Sequence, residues 1–310
     1  MKIIFYGTPE IAVYSLKTLL EAGLNVVAVV TSPDKPAGRG QNITISNVKR
    51  YALEKNLKIL QPEKLKNPEF LSEIAKLEAD IQVVVAFRMM PQLLWAMPKY
   101  GTINLHTSLL PDYRGAAPIN HVIINGEKQT GVTVFKLNEN IDEGDVYACQ
   151  TVDILPNDTA GTLHDKLMAI GANLLVNTLK KIEQGSIETI KQDDMLVHRS
   201  GELHRAPKIF KEDCCINFNQ PAQKVLNFIK GLSPYPSAFT QLPDGQILKI
   251  FDANIDDSHF HKAQTLQGQM TIANGKMFFQ CQDNSLSVTD VQLSGKKRMK
   301  INDFLRGFRV

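Results

Sequence analysis

The sequence predicts an α/β fold, a doubly wound and mostly parallel sheet, followed by a small C-terminal β-barrel of OB-like type. Three observations predict it. Over the first half of the 310 residues, short runs rich in β-branched residues alternate with stretches of helical period. Those runs are almost continuously apolar, as strands covered on both faces by helices require. Beyond residue 206 the pattern changes to short β-like runs separated by turn residues.

Taken in order, IIFYG at 3–7 reads as a strand and Glu10–Ala22 as a helix with Ile11, Leu16, Leu19 and Leu20 on its apolar side. VVAVVT at 26–31 is a buried strand. SPDKPAGRGQN at 32–42 reads as a polar Pro/Gly loop, and a helix fits near Ser46–Lys55. IQVVVAF at 81–87 and GTINL at 101–105 are further strands, joined by two more at Gly131–Lys136 and Val146–Ile154. A long helix fits Thr159–Glu183, and 184–207 reads as an irregular polar linker. A helix at Pro221–Lys230 precedes five short strands at 238–242, 246–252, 266–273, 276–281 and 285–293. Their turns carry Pro243-Asp244-Gly245, Asn274-Gly275 and Asp283-Asn284, residues suited to hairpins. Five strands in under 70 residues imply a small barrel. The expected division is 1–205, including the linker from about 184, and 206–310.

Composition narrows the class. With 43% hydrophobic and 22% charged residues, the chain is neither disordered nor fibrous. The start, MKIIFYGTPE, lacks the apolar core and cleavage site of a signal peptide, and no apolar stretch approaches the roughly 18 residues a membrane helix needs. The four cysteines include no CxxC pair, which points to reduced thiols and a cytoplasmic location. Net charge is +3 but uneven. Residues 1–205 hold 22 Lys and Arg against 23 Asp and Glu, a net of −1; residues 206–310 hold 13 against 9, a net of +4. The densest cluster is Lys296, Lys297, Arg298 and Lys300; on charge alone, a solvated face and an anion-binding surface are both open.

The first strand-to-helix turn is Gly7-Thr8-Pro9, which lacks two glycines of the G-x-G-x-x-G dinucleotide fingerprint and reads as a tight turn. A stronger signal is Asn104-Leu105-His106-Thr107-Ser108-Leu109-Leu110-Pro111, leading into Tyr113–Pro118. On a strand, residues two apart project to the same side, so Asn104 and His106 converge at its carboxyl end, where open α/β sheets bind ligands. An amide donor beside an imidazole can hold a developing oxyanion and exchange a proton. An isolated N-x-H reads more readily as a turn cap beside an ordinary surface histidine. The acidic loop Asn138–Asp145 contains Asp142, and spacing alone does not single out which carboxylate matters.

Together, Asn104-x-His106, SLLP at 108–111, YRGAAP at 113–118 and the Asp142 loop resemble the folate-dependent formyltransferase family. The resemblance runs from FYGTPEIA at 5–12 through DKPAGRG at 34–40 to KIFKED at 208–213, KGLSPYPSAFT at 230–240 and GKKRMKINDFLRG at 295–307. It implies 10-formyltetrahydrofolate as donor, initiator methionyl-tRNA as acceptor, and a role in translation initiation. No metal is expected, because a formyl group on an arylamine nitrogen is already activated, and neither a membrane nor an obligate protein partner is expected. Asn104, His106 and Asp142 then match the family's catalytic trio. Ser108, Leu109, Leu110 and Pro111 match the segment that lines the folate site. Arg39 matches an arginine pushed into the tRNA acceptor end, and Lys296, Lys297 and Arg298 are candidate contacts to tRNA phosphates. The chain departs from the family at Thr107, where Gly or Pro is usual, and at Phe87–Pro91, expected beside the pterin.

The implied reaction is acyl transfer without a covalent enzyme intermediate. A formyltransferase acting on glycinamide ribonucleotide should need only about the first 200 residues. One acting on a nucleotide sugar has no use for the Arg39 loop or the basic tail. A catalytically silent RNA-binding protein would not need the trio.

Overall fold

A computed structural model of the chain describes residues 1–37, 42–196, 202–259 and 266–308. By internal contacts it divides into two units. The first comprises Met1–Gly115, Gly131–Val152 and Asp165–Arg205; the second comprises Ala116–Thr130, Asp153–His164 and Ala206–Val310.

A seven-stranded sheet organises the first unit, in the order Val146–Asp153, Gln129–Lys136, Thr102–His106, Ile81–Val85, Lys2–Gly7, Asn25–Val30, Ile59–Leu60. The four pairings from Thr102–His106 to Ile59–Leu60 are parallel, whereas Gln129–Lys136 runs antiparallel to Thr102–His106. The mostly parallel sheet predicted from the β-branched runs is therefore present. Ile3–Tyr6 and Ile81–Val85 are buried throughout, which is why neither segment alternates. Helix Glu10–Glu21 buries Ile11, Ala12, Ser15, Leu16 and Leu19, a stripe of helical spacing.

Gly7 belongs to packing. A Cβ there would lie 2.5 Å from the Ala12 Cβ and 3.1 Å from the Val85 carbonyl oxygen. The Pro9 carbonyl takes the first helical amides, from Ala12 at 3.1 Å and Val13 at 3.3 Å. Helix Asn47–Glu54 starts where the sequence signals it, with the Ser46 Oγ accepting from the Lys49 amide at 3.0 Å.

In the second unit, six strands form an antiparallel sheet ordered Ala238–Gln241, Ile247–Asp256, Ser285–Leu293, Lys276–Gln280, Met270–Ala273, with Met299–Lys300 also on Ser285–Leu293. This is the small barrel-like domain expected from the turn spacing. Asn274-Gly275 forms a tight turn with φ of 50° and 72°, and Ala273 pairs with Lys276 across it. Helix Ala222–Leu232 supplies Val225, Leu226, Ile229 and Leu232 to the core, where Phe218 stacks on Phe279 at 5.0 Å. Helix Pro118–Ile124 packs on that helix at Gly231, where a Cβ would meet Ile124 Cγ1 at 2.5 Å.

Several elements differ from the sequence reading. The stretch 32–42, read as loop, contains strand Lys35–Ala37, paired antiparallel with Asn42–Thr44. Helices Pro68–Lys76 and Pro118–Ile124 went unassigned, each opening with a proline at its first turn. The polar stretch 184–207 holds a short helix, Gln192–Met195, and a short strand, Arg205–Ala206, paired with Arg114–Gly115. Among the described residues, no helix is long and apolar enough to cross a membrane.

Candidate active site

Strand Thr102–His106 carries the first two candidates. Asn104 faces Val84 on one side and Phe135 on the other, while His106 pairs with Thr133 and ends the strand. The strand's alternation puts both side chains on one face. Asn104 is half-buried, and its amide has no hydrogen-bond partner among the described residues. His106 is 6% exposed and packs edge-on against Phe135, with ring centroids 6.5 Å apart.

The imidazole is held from its far side. His106 Nε2 lies 3.0 Å from the Tyr113 carbonyl oxygen, so Nε2 carries the hydrogen and donates it. In the neutral ring Nδ1 is then the atom that accepts a proton. Nδ1 sits 3.9 Å from Asp142 Oδ2, beyond a hydrogen bond but close enough for the carboxylate to stabilise a positive ring.

Asp142 lies between strands Gln129–Lys136 and Val146–Asp153, in a loop exposed over much of its length; Ile141, beside it, is 58% exposed. Its carboxylate is aimed by two devices. Oδ2 accepts from the Gly115 amide at 2.9 Å, and Asp142 takes the left-handed conformation at φ 57°. Tyr113, whose carbonyl holds His106, is left-handed too, at φ 59°. Such conformations destabilise a non-glycine residue by about 1–3 kcal/mol and persist only where surroundings over-determine them. Two residues beyond Asp142, a Cβ on Gly144 would fall 1.6 Å from the Lys136 carbonyl oxygen, so only glycine fits this close approach.

A buried amide completes the surroundings. Gln192, 3% exposed, donates through Nε2 to the carbonyls of Asp142 at 2.9 Å and Gly144 at 2.7 Å. Its Oε1 accepts from Arg114 Nε at 3.0 Å and Nη2 at 2.7 Å. Arg114 Nη1 reaches Glu143 Oε1 at 2.8 Å. The sequence reading missed Gln192 because it lies in a polar stretch 50 residues from Asp142 with no local motif. Gly144, which follows an acidic run and opens into a strand, was the available hint.

The other candidates fall in different places. Ser108, Leu110 and Pro111 are buried within the protein. Ser108 Oγ donates to the Asp112 carbonyl at 2.6 Å, and Thr133 Oγ1 bridges the Ser108 carbonyl at 2.7 Å and the Leu110 amide at 3.1 Å. Leu109 is half-buried against Gly131. The segment 108–111 thus presents mainly backbone and Leu109. Phe87–Pro91 leaves the carboxyl end of strand Ile81–Val85. There Arg88–Leu93, together with Leu65 and Lys66, line a largely apolar cleft of about 520 Å³. That volume lies within the usual range of small-molecule sites. Arg88 is fixed beside it by the carbonyls of Pro62 and Glu63, and burial lowers its pKa.

Arg39 lies outside the described residues. Of the basic cluster, Arg298 forms a forked pair with Asp290, at 2.9 and 3.0 Å, and its guanidinium lies 4.1 Å from the Phe251 ring centre. Lys300 reaches the same carboxylate at 3.0 Å. Lys296 and Lys297 are exposed and have no ion-pair partner among the described residues.

Against known proteins, the formyl transferase family model matches residues 1–179, and the formyl transferase C-terminal domain model matches residues 208–309. A methionyl-tRNA formyltransferase of Bacteroides fragilis is 47% identical over 316 residues, covering 100% of this chain and 96% of its own length. Another from Caldanaerobacter subterraneus is 42% identical over 312 residues, covering 100% and 98%. Among solved structures, an N-formyltransferase of Helicobacter canadensis, in complex with folinic acid and dTDP-3-aminofucose, superposes with a TM-score of 0.65 at 20% identity. It covers 93% of this chain and 98% of its own. HypX of Aquifex aeolicus superposes with a TM-score of 0.65 at 18% identity, covering 100% of this chain and 48% of its own. At such identities these two structures share the fold.

Proposed function

The chain belongs to the formyl transferase family, and on that premise we propose that it transfers the formyl group of 10-formyltetrahydrofolate to the α-amine of methionyl initiator tRNA. The observation that carries this reading is end-to-end identity to methionyl-tRNA formyltransferases, 47% across the whole chain. A shared N-terminal domain alone would also fit formyltransferases acting on other amines. The product is the formylated initiator used in translation initiation, and the reaction belongs to the cytoplasm.

The donor supplies a formyl carbon already activated by its arylamine nitrogen. The apolar cleft at Met89–Leu93 and the backbone of 108–111 have the size and chemistry to hold it. Asn104, whose amide is uncommitted, donates to the formyl oxygen as negative charge builds there during attack by the methionyl amine. His106 Nδ1 accepts the proton that the attacking amine loses and returns one to the departing nitrogen. Asp142 Oδ2, 3.9 Å away, stabilises the ring while it is positive, and that gap shortens as charge develops. The Tyr113 carbonyl keeps the tautomer correct by holding Nε2–H.

Residues 1–205 carry the chemistry, and residues 206–310 place the tRNA. Arg39 approaches the acceptor end. Lys296 and Lys297 are better placed than Arg298 to meet phosphates, because the Arg298 charge is already opposed by Asp290.

The test is direct. The protein is mixed with 10-formyltetrahydrofolate and, in separate reactions, charged initiator tRNA, glycinamide ribonucleotide, or a nucleotide-linked amino sugar. Formylated methionyl-tRNA alone is expected. Product on either small acceptor without product on the tRNA would overturn the proposal.

A further inference from the structure

We propose that Gln192 and Arg114 are positioning residues for this reaction, a two-residue clamp that sets where the Asp142 carboxylate stands relative to His106. The inference rests on the role given to Asp142 under the proposed function and adds residues to it.

Three features of the loop make a clamp necessary. The carboxylate must be held beside an imidazole edge, 3.9 Å from Nδ1, yet its loop is exposed and Asp142 itself is held at φ 57°. Left to itself, that backbone would relax toward ordinary conformations. Little apolar packing opposes this, since Ile141 points largely to solvent.

Gln192 answers the problem with one amide. Both hydrogens of Nε2 are used, one on the carbonyl of Asp142 and one on that of Gly144, so the plane of the side chain fixes two carbonyls flanking Glu143. Its oxygen takes two hydrogens from the Arg114 fork, so all of its hydrogen-bonding capacity is committed within a buried setting. Arg114 then takes the Glu143 carboxylate. Residues 142, 143 and 144 are each gripped by this pair.

Arg114 is also the middle of a three-residue segment, Tyr113–Gly115, that serves both catalytic groups. Tyr113 before it accepts from His106 Nε2, and Gly115 after it donates to Asp142 Oδ2. The clamp therefore couples the loop that holds the carboxylate to the loop that holds the imidazole. A shift in Gln192 moves one relative to the other.

A purely structural role would behave differently from positioning, and substitutions separate them. Gln192→Met keeps the volume and removes the hydrogen bonds. Gln192→Glu keeps an acceptor for Arg114 and removes both donors to the carbonyls. Each is made in the wild-type and Asp142→Asn backgrounds; kcat and donor KM are measured at saturating initiator tRNA, with circular dichroism as the fold check. A misplacement of this kind should lower kcat by about 10–100-fold with donor KM within about threefold. Gln192→Glu should be as impaired as Gln192→Met, whereas a role limited to pairing Arg114 would be rescued by glutamate. In the Asp142→Asn background either change should cost less than about threefold, because the group it positions no longer acts. Equal factors in both backgrounds, or full activity of Gln192→Glu, would overturn the clamp. Should Gln192→Met fail to fold, Arg114→Lys, which keeps the charge but not the fork, is put through the same cycle and read by the same outcomes. Asp142→Asn with near-normal kcat would instead refute the role of Asp142 itself, a result distinct from failure of the clamp.

Discussion

Asn104 is half-buried with an uncommitted amide, whereas His106 is 6% exposed, packed on Phe135 and bonded to the Tyr113 carbonyl. The two substitutions to alanine therefore report different things. Asn104→Ala removes a donor that nothing else in the fold uses. It should lower kcat by about 10²–10³-fold while moving stability by no more than about 0.5 kcal/mol. His106→Ala opens a cavity and orphans a carbonyl, so lost activity is mixed with lost stability of roughly 1–3 kcal/mol. Thermal melts beside kcat measurements check the contrast, and an Asn104→Ala protein with kcat within tenfold of wild type would remove Asn104 from the oxyanion role. At this scale the sequence was legible where chemistry follows local periodicity. Alternation along one strand was enough to set Asn104 and His106 on the same face of it. It could not show that Nε2 is tied to Tyr113, leaving Nδ1 to work, because that bond depends on a left-handed residue seven positions away.

The strand Met299–Lys300 shows what element-level reading loses. Turn spacing announced five strands of the second unit, and this sixth was read only as a basic cluster. Two residues long, it offers no alternation, and its pairing with Ser285–Leu293 is fixed by side chains around Asp290. Burial alone would raise the Asp290 pKa, but hydrogen bonds and charge from Arg298 and Lys300 outweigh it and hold the carboxyl below its ordinary value. A group whose folded pKa is depressed stabilises the fold above its unfolded value, and that contribution disappears as pH falls through the folded value. The stabilisation from this cluster is thus full at neutral pH and lost only in acid below about pH 4. Arg298→Ala should lower stability by about 1–2 kcal/mol near pH 7, since it leaves the mostly buried carboxylate with Lys300 alone. The difference from wild type should shrink near pH 3. Melts at the two pH values decide the matter; a penalty equally large in acid would mean that Arg298 contributes through its contact with Phe251 rather than through charge.

At the scale of the whole molecule, the uneven charge predicts how tRNA is held. The excess of +4 lies in residues 206–310. Within the cluster that most suggested RNA contact, however, two of four cations face Asp290, leaving Lys296 and Lys297 exposed. Cutting the chain at residue 205 would be a poor test of their role. Segment 116–130 groups with 206–310, and inside that unit Asn120 donates to the Gly231 carbonyl at 2.7 Å while Ile124 packs over Gly231. Truncation would strip these partners away, so losses of folding and of binding would be confounded. Replacing Lys296 and Lys297 together by alanine leaves the Asp290 cluster intact. If each lysine neutralises one phosphate, the slope of log affinity against log salt should fall in magnitude by about 1.4–1.8 units, since each contact releases roughly 0.7–0.9 counterion. Turnover at saturating tRNA should be unchanged, because phosphate contacts place the nucleic acid without touching the reacting amine. Arg39→Ala, measured alongside, should instead lower formylation even at saturating tRNA, if Arg39 has the role proposed for it at the acceptor end. Affinity is measured across a salt series with charged initiator tRNA. A double variant whose slope and affinity match wild type would show that the tail does not meet RNA, and the remaining cations of residues 206–310 would then have to account for tRNA placement.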